Sequence, residues 1–363
     1  MRLNRRILSV VLISTMIISL TACKGTNSGN QATESGSQSG SMSAAETDTA
    51  GGNTAEYIFK VGHVQPADHP YHTGLVYMNK ILQERTGGRV SLDIYPSSQL
   101  GAERELVEST QMGTIDMGLV TSPLANFDNS WYLFDIPGIF YTKEHAYEFL
   151  DGEQGQAMLD GLANINIKGL SFWETGFFNI FVDTKAIEKP QDVAGMTIRV
   201  MENDAYITYF SELGANPVPM AYSEVFTGIQ NGTVDGTLIP IAAIYMNQFY
   251  MVAPYITRCE NWYCPVTLLM SMDSWNSMPE DLQEIFQECA NEAKDYMRQE
   301  LTDTEEEQVA AMIKEGCTIT EVDKDEWREL EADAVQKVKE QFIGTYVQQK
   351  TLDYIEEIGQ KYR

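Results

Sequence analysis

In the first folded stretch of the chain, the spacing of apolar residues alternates between that of a strand and that of a helix. Apolar residues alternate with polar ones over Tyr57–Val64 and Val90–Tyr95, which predicts two strands, and Asp116–Val120 predicts a third. Between these strands, Tyr71–Arg85 and Gln99–Met112 carry apolar residues at helical spacing, and glycine follows each helix. The order strand, helix, strand, helix, strand predicts a parallel sheet with helices on its faces.

A sheet of this kind binds its ligand at the carboxyl ends of its strands. His63 follows the first predicted strand, and Thr121 and Ser122 follow the third. We therefore expect these residues near any ligand site.

A second α/β unit follows. Lys168–Trp173 and Phe178–Val182 predict two strands, and Glu174-Thr175-Gly176 predicts the break between them. Further elements are predicted as helices over residues 146–162 and 203–213, strands over Met196–Val200, Val218–Met220 and Val234–Pro240, a helix capped by Ser223, and an apolar segment over Tyr263–Met272.

The last part of the chain is helical. Residues 279–314 keep helical spacing except over Thr302–Gln308. A continuous helix of about 36 residues would be roughly 54 Å long, enough to lie along two lobes. The alternative is a break near Thr304, which could cap a second helix. Residues 323–342 and 351–362 predict two further amphipathic helices.

The N-terminus is typical of an export signal. Arginines at positions 2, 5 and 6 precede the apolar run Ile7–Leu20, which is too short to span a bilayer comfortably. Leu20-Thr21-Ala22-Cys23 resembles a bacterial lipobox, so we expect residues 1–22 to be a lipoprotein signal peptide and Cys23 to be lipidated. The alternative is an ordinary cleaved signal with an incidental cysteine. Residues 23–55 have the composition of a flexible tether.

Composition narrows the functional classes. The 363 residues carry a formal net charge of −27, which argues against nucleic acid and against electrostatic binding to an anionic membrane. The sequence contains no nucleophile elbow, phosphate-binding glycine loop or zinc-protease motif, so we expect a protein that is not an enzyme and needs no cofactor. His63, His69 and His72 with Asp68 are weak evidence for a metal, and we predict none. The downstream cysteines, free or disulfide-bonded, are expected to be structural: Cys259, Cys264, Cys289 and Cys317.

Arg199 lies inside the apolar strand Met196–Val200. An arginine is almost never fully buried without a partner, and no acidic residue flanks it in the strand. One interpretation is a structural ion pair with a distant carboxylate or a side chain that reaches solvent. The other is a guanidinium aimed into a cleft, where its planar fork would bind the carboxylate of a ligand.

Several motifs, taken in order, resemble one family. They are Arg85-Thr86-Gly87-Gly88-Arg89-Val90, Tyr95-Pro96 with Gln99-Leu100-Gly101, Met112–Met117, Phe134–Phe140, Pro190–Val200, Leu213–Met220 with Ser223-Glu224-Val225, and Gly232–Gly236. Over residues 57 to about 300 the chain resembles the extracytoplasmic substrate-binding subunits of TRAP (tripartite ATP-independent periplasmic) transporters.

The resemblance implies an α/β, two-lobed fold like that of periplasmic binding proteins, with a hinge cleft and a long helix bracing both lobes. Lobe I is expected to comprise 56–176 and about 265–304, and lobe II 177–264 and about 305–363. Arg199 would hold the carboxylate of an organic acid, and Tyr222 would line the cleft. The partner would be a TRAP permease, with the protein anchored by lipid to the outer face of the bacterial cytoplasmic membrane. The alternative is a receptor of the same fold that presents its ligand to a membrane sensor kinase.

Two positions depart from the family pattern. Phe178 stands where relatives commonly carry a second arginine, and Ile239 stands where they usually carry asparagine. Both changes favour a monocarboxylate with an apolar or aromatic body, packed by Trp173, Phe178, Tyr222 and Ile239. The alternative is that Phe178 and Ile239 belong to the core. Glu174 is the one carboxylate expected in the cleft.

Overall fold

The computed structural model describes residues 55–363, so the predicted signal peptide, Cys23 and nearly all of the predicted tether lie outside the described residues. Nine strands of this part form one sheet: β1 Tyr57–Gly62, β2 Val90–Tyr95, β3 Met117–Val120, β4 Ile167–Val182, β5 Thr197–Val200, β6 Asn216–Pro219, β7 Gly236–Pro240, β8 Tyr255–Ser271 and β9 Thr318–Glu321. The α-helices are α1 Pro70–Thr86, α2 Glu103–Gln111, α3 Lys143–Leu150, α4 Glu153–Gly161, α5 Asp204–Glu212, α6 Val225–Gln230, α7 Ile241–Met246, α8 Met272–Ser277, α9 Glu280–Lys314, α10 Lys324–Leu330, α11 Ala332–Phe342 and α12 Gln349–Gly359.

The sheet consists of two parallel groups joined by a long antiparallel pair. The strand order is β2-β1-β3-β8-β4-β7-β5-β6, with β9 beside β8. β1 pairs in parallel with β2 and β3, as the sequence predicted, and β5 pairs in parallel with β6 and β7. Between the groups, β4 and β8 pair from Ile167↔Ser271 to Val182↔Tyr255. This is the two-lobed α/β architecture, with two strands passing from one side to the other.

The prediction of two strands between residues 168 and 182 is wrong, because β4 is continuous over that range. Its pairing with β8 shifts register between Glu174 and Phe177. Gly176 lies at this shift with φ = 91°, a conformation that glycine adopts without a Cβ clash. The Glu174-Thr175-Gly176 signal therefore marks an irregularity within a strand rather than its end.

Other boundaries also differ from the prediction. The helix expected over residues 146–162 is two helices, α3 and α4, because the backbone of Gly152 between them is extended (φ = −85°, ψ = 179°). The Asp151 carboxylate beside it accepts hydrogen bonds from Arg298 (2.5 Å) and Lys294 (3.0 Å) of α9. The helix expected over 323–342 is likewise two, α10 and α11. Ser223 makes no capping hydrogen bond and lies in a short 3₁₀ turn before α6.

The long helix α9 is continuous over 35 residues, which rules out the break near Thr304. The Thr304 hydroxyl donates to the Glu300 carbonyl at 2.9 Å, within the helix. The first half of α9, with Phe286 and Met297, packs into an apolar cluster with α1 and β1–β3. Its last turns, with Val309 and Met312, pack into a second cluster with α6 and α7. The helix therefore braces both parts of the fold.

The four cysteines of the described residues are free and buried, so Cys259 and Cys264 do not pair. Residues 55–363 include no helix long and apolar enough to cross a membrane. Over the same residues, no group of three or more metal-ligating side chains comes together.

Candidate functional site

Arg199 lies at the wall of a cavity in the middle of the molecule. The side chain is 3% exposed, and its Nε donates to the Met220 carbonyl at 2.9 Å. Within residues 55–363, no carboxylate oxygen comes within 4.0 Å of the guanidinium, and its terminal nitrogens make no hydrogen bond. Burial lowers the pKa of Arg199 to about 10, while the Glu103 carboxylate opposes that shift. The guanidinium is thus a buried cation without an ionic partner in the described part of the chain.

Hydrogen bonds on both sides of β5 fix the position of Arg199. The turn Pro190–Val193 before the strand is closed by Asp192, whose Oδ2 accepts from the Lys189 amide at 3.1 Å. The Thr197 amide donates to Asp235 Oδ2 at 2.7 Å. Ile198 pairs with Gly236 of β7, and Arg199 pairs with Val218 of β6. The strand is thus fixed between two neighbours, and Arg199 projects from the opposite face to Ile198.

Most of the remaining wall is apolar. Phe178 of β4 pairs with Pro240 of β7, and both residues line the cavity, as does Ile239. Met201 and Met220 follow β5 and β6. The apolar lining comprises Val64, Ala102, Pro123, Phe178, Met201, Met220, Ala221, Ile239, Pro240 and Ala243. Both positions that depart from the family pattern therefore lie on the cavity wall.

Tyr222 and Gln65 join opposite sides of the cavity. The Tyr222 hydroxyl donates to Gln65 Oε1 at 3.2 Å, and Asn247 Nδ2 donates to the same oxygen at 2.9 Å. The Tyr222 ring packs edge-to-face on Phe249, with centroids 5.6 Å apart. Gln65 follows β1, whereas Tyr222 and Asn247 belong to the other parallel group and its helices. These bonds are direct contacts between the two sides of the fold.

Thr121 reaches the cavity as predicted and holds a second charged group there. Its hydroxyl donates to Glu103 Oε2 at 2.6 Å. Burial raises the pKa of Glu103 to about 7, although the Thr121 hydrogen bond and the Arg199 charge both act to lower it. Sequence reasoning missed Glu103. Its place at the start of α2, two residues after Gly101, is ordinary for a glutamate and gave no signal of a ligand contact.

His69 also lines the cavity and was not predicted as a ligand contact. Its Nδ1 accepts the Tyr71 amide at 3.1 Å, and its ring packs edge-to-face on Tyr71 with centroids 4.6 Å apart. Burial lowers the pKa of His69 to about 3, so the ring is neutral at physiological pH. With Nδ1 accepting, the proton lies on Nε2, which is a hydrogen-bond donor.

Three predicted ligand contacts lie elsewhere. Trp173 is buried against α1 and α9, and its Nε1 donates to Ser171 Oγ at 2.9 Å. His63 is buried and shares a hydrogen bond of 3.1 Å with His72. Glu174 is fully buried, accepts from the Tyr147 hydroxyl and lies 3.8 Å from Lys143 Nζ. None of the three lines the cavity.

The structure therefore brings five of the predicted ligand contacts together: Thr121, Phe178, Arg199, Tyr222 and Ile239. The cavity is lined by the unpaired Arg199, by the carboxylates of Glu103 and Glu202, by Arg104, and otherwise by largely apolar residues. It suits binding of a small anion with an apolar part.

Comparison with known proteins identifies the class. Residues 61–342 match the family model DctP, described as "Bacterial extracellular solute-binding protein, family 7". The chain therefore belongs to this family, the substrate-binding subunits of TRAP transporters. Its relatives are solute-binding proteins rather than enzymes, and they act outside the cytoplasm.

Individual relatives cover most of the chain. The 2,3-diketo-L-gulonate-binding periplasmic protein YiaO of Escherichia coli is 28% identical over 272 residues, which is 74% of this chain and 83% of the relative. A TRAP periplasmic solute-binding protein from Polaromonas, bound to D-erythronate, is 31% identical, with a TM-score of 0.78 and coverage of 84% of this chain and 98% of its own. A homologue from Sulfurospirillum deleyianum, with bound succinate, is 28% identical, with a TM-score of 0.78 and coverage of 84% and 99%.

Proposed function

We propose that this protein captures an organic acid outside the cytoplasmic membrane and delivers it to the membrane permease of a TRAP transporter. The observation that carries the proposal is the Arg199 guanidinium, buried at the cavity wall without a carboxylate partner in the described residues. An unpaired buried charge is costly, and a ligand carboxylate would compensate it with two parallel hydrogen bonds. The ligands named for the relatives above, 2,3-diketo-L-gulonate, D-erythronate and succinate, all carry a carboxylate.

The body of the ligand is best matched by apolar or aromatic groups. Phe178 and Ile239 offer no hydrogen bond to a hydroxylated ligand, and Met201 and Met220 add further apolar surface. A polar ligand group placed against them would lose its water without a replacement, at a cost of about 1–3 kcal/mol for each unmade hydrogen bond. This favours a monocarboxylate with an apolar or aromatic body, bound by Arg199 at one end.

Binding would work by closure of two lobes, which we assign to 56–176 with about 265–304 and to 177–264 with about 305–363. The hinge then falls on the middle of β4 and β8, where the register shifts between Glu174 and Phe177. Arg199 lies on one side of the cavity and Thr121 on the other, so a ligand touching both stabilises the closed form. The hydrogen bond from Tyr222 to Gln65 would stabilise the same closed form.

The attachment to the membrane rests on the sequence. Lipidation of Cys23 and the tether up to residue 55 would hold the protein at the outer face of the cytoplasmic membrane, next to its permease. Membership of a transporter family favours this role over presentation of the ligand to a sensor kinase.

A thermal-shift screen of the chain from residue 24 onward tests the proposal, with aromatic and aliphatic monocarboxylates, dicarboxylates and sugar acids side by side. A ligand that binds only the folded state raises the melting temperature by mass action. We expect the largest shifts with the monocarboxylates, and none in Arg199→Ala. Arg89→Ala, which removes an exposed arginine paired with Glu56 at 2.8 Å, is the matched control and should keep the shift.

Shifts confined to dicarboxylates or sugar acids would contradict the apolar ligand but keep Arg199 as the carboxylate site. Equal shifts in the wild type and in Arg199→Ala would contradict the role of Arg199.

A further inference from the structure

The cavity contains a second charged group whose hydrogen bonds are incomplete. Glu103 Oε2 accepts from Thr121 Oγ1 at 2.6 Å, whereas Oε1 has no donor among residues 55–363. Gly101 before it and the start of α2 fix its backbone, and Thr121 fixes the carboxylate. Above its pKa of about 7, Glu103 is ionised and presents an oriented hydrogen-bond acceptor to whatever occupies the cavity.

Glu103 and Arg199 line the same cavity without forming an ion pair. Their charged atoms are more than 4.0 Å apart. Among the charged side chains around Arg199, Glu103 nevertheless has the largest electrostatic effect on the pKa of Arg199. The two groups therefore face one cavity, where a single ligand can contact both. Arg199 recognises an acceptor and Glu103 recognises a donor, so together they define a pair of adjacent contacts of opposite polarity.

A ligand whose only polar group is a carboxylate can bind Arg199 but offers no hydrogen-bond donor to Glu103. Bound to Arg199, it places a second negative group near Glu103, and like charges in a buried site repel strongly. A hydroxyl or ammonium next to the ligand carboxylate removes the conflict, because it donates to Glu103 Oε1 while the carboxylate accepts from Arg199. An oxo group in that position cannot donate and adds a further acceptor.

We propose that Glu103 determines specificity, so that the cavity selects acids carrying a hydroxyl or ammonium group on the carbon next to the carboxylate. This inference rests on the proposed function, since it takes Arg199 as the carboxylate site. It refines the ligand class to 2-hydroxy or 2-amino acids with an apolar body.

Two matched series of acids test the proposal by isothermal titration calorimetry on the chain from residue 24 onward, at about pH 8.5, where Glu103 is ionised and Arg199 stays protonated. One is 3-phenylpropanoate, phenylpyruvate, 3-phenyllactate and phenylalanine. The other is propanoate, pyruvate, lactate and alanine, with both enantiomers of each chiral acid. Within a series only the group next to the carboxylate changes. We expect the hydroxy or amino acid to bind roughly tenfold or more tightly than the unsubstituted and oxo acids, as one hydrogen bond to a charged group implies.

The variant Glu103→Gln should remove this preference. Thr121 can donate to the amide oxygen, which leaves the amide NH₂ toward the cavity as a donor. The ratio of hydroxy to oxo acid should then fall to one or below, and the amino acid should lose most affinity. Glu284→Gln is the matched control, because it makes the same carboxylate-to-amide change at an exposed position of α9 outside the cavity, and the ratio should stay as in the wild type.

The outcomes separate this inference from the proposed function. If unsubstituted or oxo acids bind as tightly as the hydroxy and amino acids, and Arg199→Ala abolishes binding, the role of Glu103 is overturned and the proposed function stands. A preference unchanged in Glu103→Gln overturns it as well. If none of the eight acids binds, both are overturned.

Discussion

Arg199 is a buried charge that has no ionic partner among the described residues. Its one hydrogen bond, from Nε to the Met220 carbonyl, orients the side chain but leaves the charge uncompensated among the described residues. A buried ionic group of this kind lowers the stability of the empty protein. Such local instability is expected where a site is built for binding rather than for packing.

The first prediction concerns the empty protein. Replacing Arg199 by methionine, which fills a similar space without a charge, should raise the free energy of unfolding by about 1–4 kcal/mol and abolish acid binding. Urea denaturation of wild type and variant without ligand measures the first effect, and calorimetry measures the second. A variant that is less stable than the wild type would show that Arg199 is structural.

A second prediction concerns Asp135, which is fully buried behind the cavity. Ser122 and Asn203 each donate to its carboxylate at 2.5 Å, and burial raises its pKa from 3.8 to about 7. A raised folded-state pKa gives stability that is present at low pH and lost as the pH rises through the folded-state value. Asp135 should therefore destabilise the wild type progressively from about pH 4 to about pH 7.

Asp135→Asn should lack this loss, so that its stability relative to the wild type improves by about 1–4 kcal/mol between pH 4.5 and pH 8. Urea denaturation at pH 4.5, 6 and 8 is the measurement. The exposed Asp160→Asn is the control and should follow the wild type at each pH. Parallel curves for Asp135→Asn and the wild type would contradict the assignment.

At the residue scale, the sequence predicted contacts whose chemistry is unusual for their surroundings. Arg199 stands out in an apolar strand, and Phe178 and Ile239 stand out against the family pattern. Glu103 was missed because a glutamate at the start of a helix is ordinary, and only its contact with Thr121 distinguishes it. Trp173 was misplaced because the face of a strand toward which a side chain points depends on register, and the shifts in β4 change it.

Among the elements, β4 shows how a turn signal can lie inside a strand. Its pairing with β8 extends on both sides of Gly176, and that pairing outweighs the local preference of the glycine for a turn. The parallel groups and the helices flanking them were predictable, because each has a clear hydrophobic period. The break between α3 and α4 was missed although the dipeptide Asp151-Gly152 is a local turn signal, and Gly152 is extended at the break.

The irregularity of β4 gives the third prediction. Gly176→Ala places a Cβ on a residue with φ = 91° and should lower the free energy of unfolding by roughly 1–2 kcal/mol. Gly161→Ala, at a glycine with helical φ of −60° and open space where the new Cβ would lie, is the control and should be neutral or slightly stabilising. Chemical denaturation of both variants measures the difference, and equal effects would contradict a strained conformation at Gly176.

The fourth prediction tests the continuity of α9. Thr304 lies where the apolar spacing lapses, and its backbone is helical. Thr304→Pro should destabilise the protein by about 3 kcal/mol or more, because proline in a helix interior removes a hydrogen bond and clashes with the preceding turn. Thr304→Ala should be nearly neutral. A tolerated proline, measured by thermal denaturation, would indicate that two helices meet at this point.

For the whole molecule, the net charge of −27 opposes the approach of an anionic ligand. Salt screens this repulsion, with a Debye length of about 10 Å at 0.1 M. The fifth prediction is therefore that the association rate of a bound monocarboxylate rises between 10 mM and 300 mM NaCl, while the dissociation rate changes little. Stopped-flow fluorescence measures both, and an association rate that falls with salt would indicate local steering by Arg199 over the net charge.

The overall architecture was predictable from the order of elements and from motifs distributed along the chain. The irregular pairing at the centre of β4 and β8 was not, and the lobe boundaries drawn through it stay a prediction. The hydrophobic period of an element can be read from neighbouring residues, whereas the pairing of two long strands depends on residues about 90 positions apart.

The four free cysteines of the described residues give the fold a particular vulnerability. Two lie on β8, one on α9 and one just before β9, and all are buried. In an oxidising extracytoplasmic compartment, each thiol is protected from disulfide formation only while the native packing covers it. Once the chain unfolds there, non-native disulfides can prevent refolding, so unfolding becomes irreversible. The lifetime of the folded protein is then set by its unfolding rate.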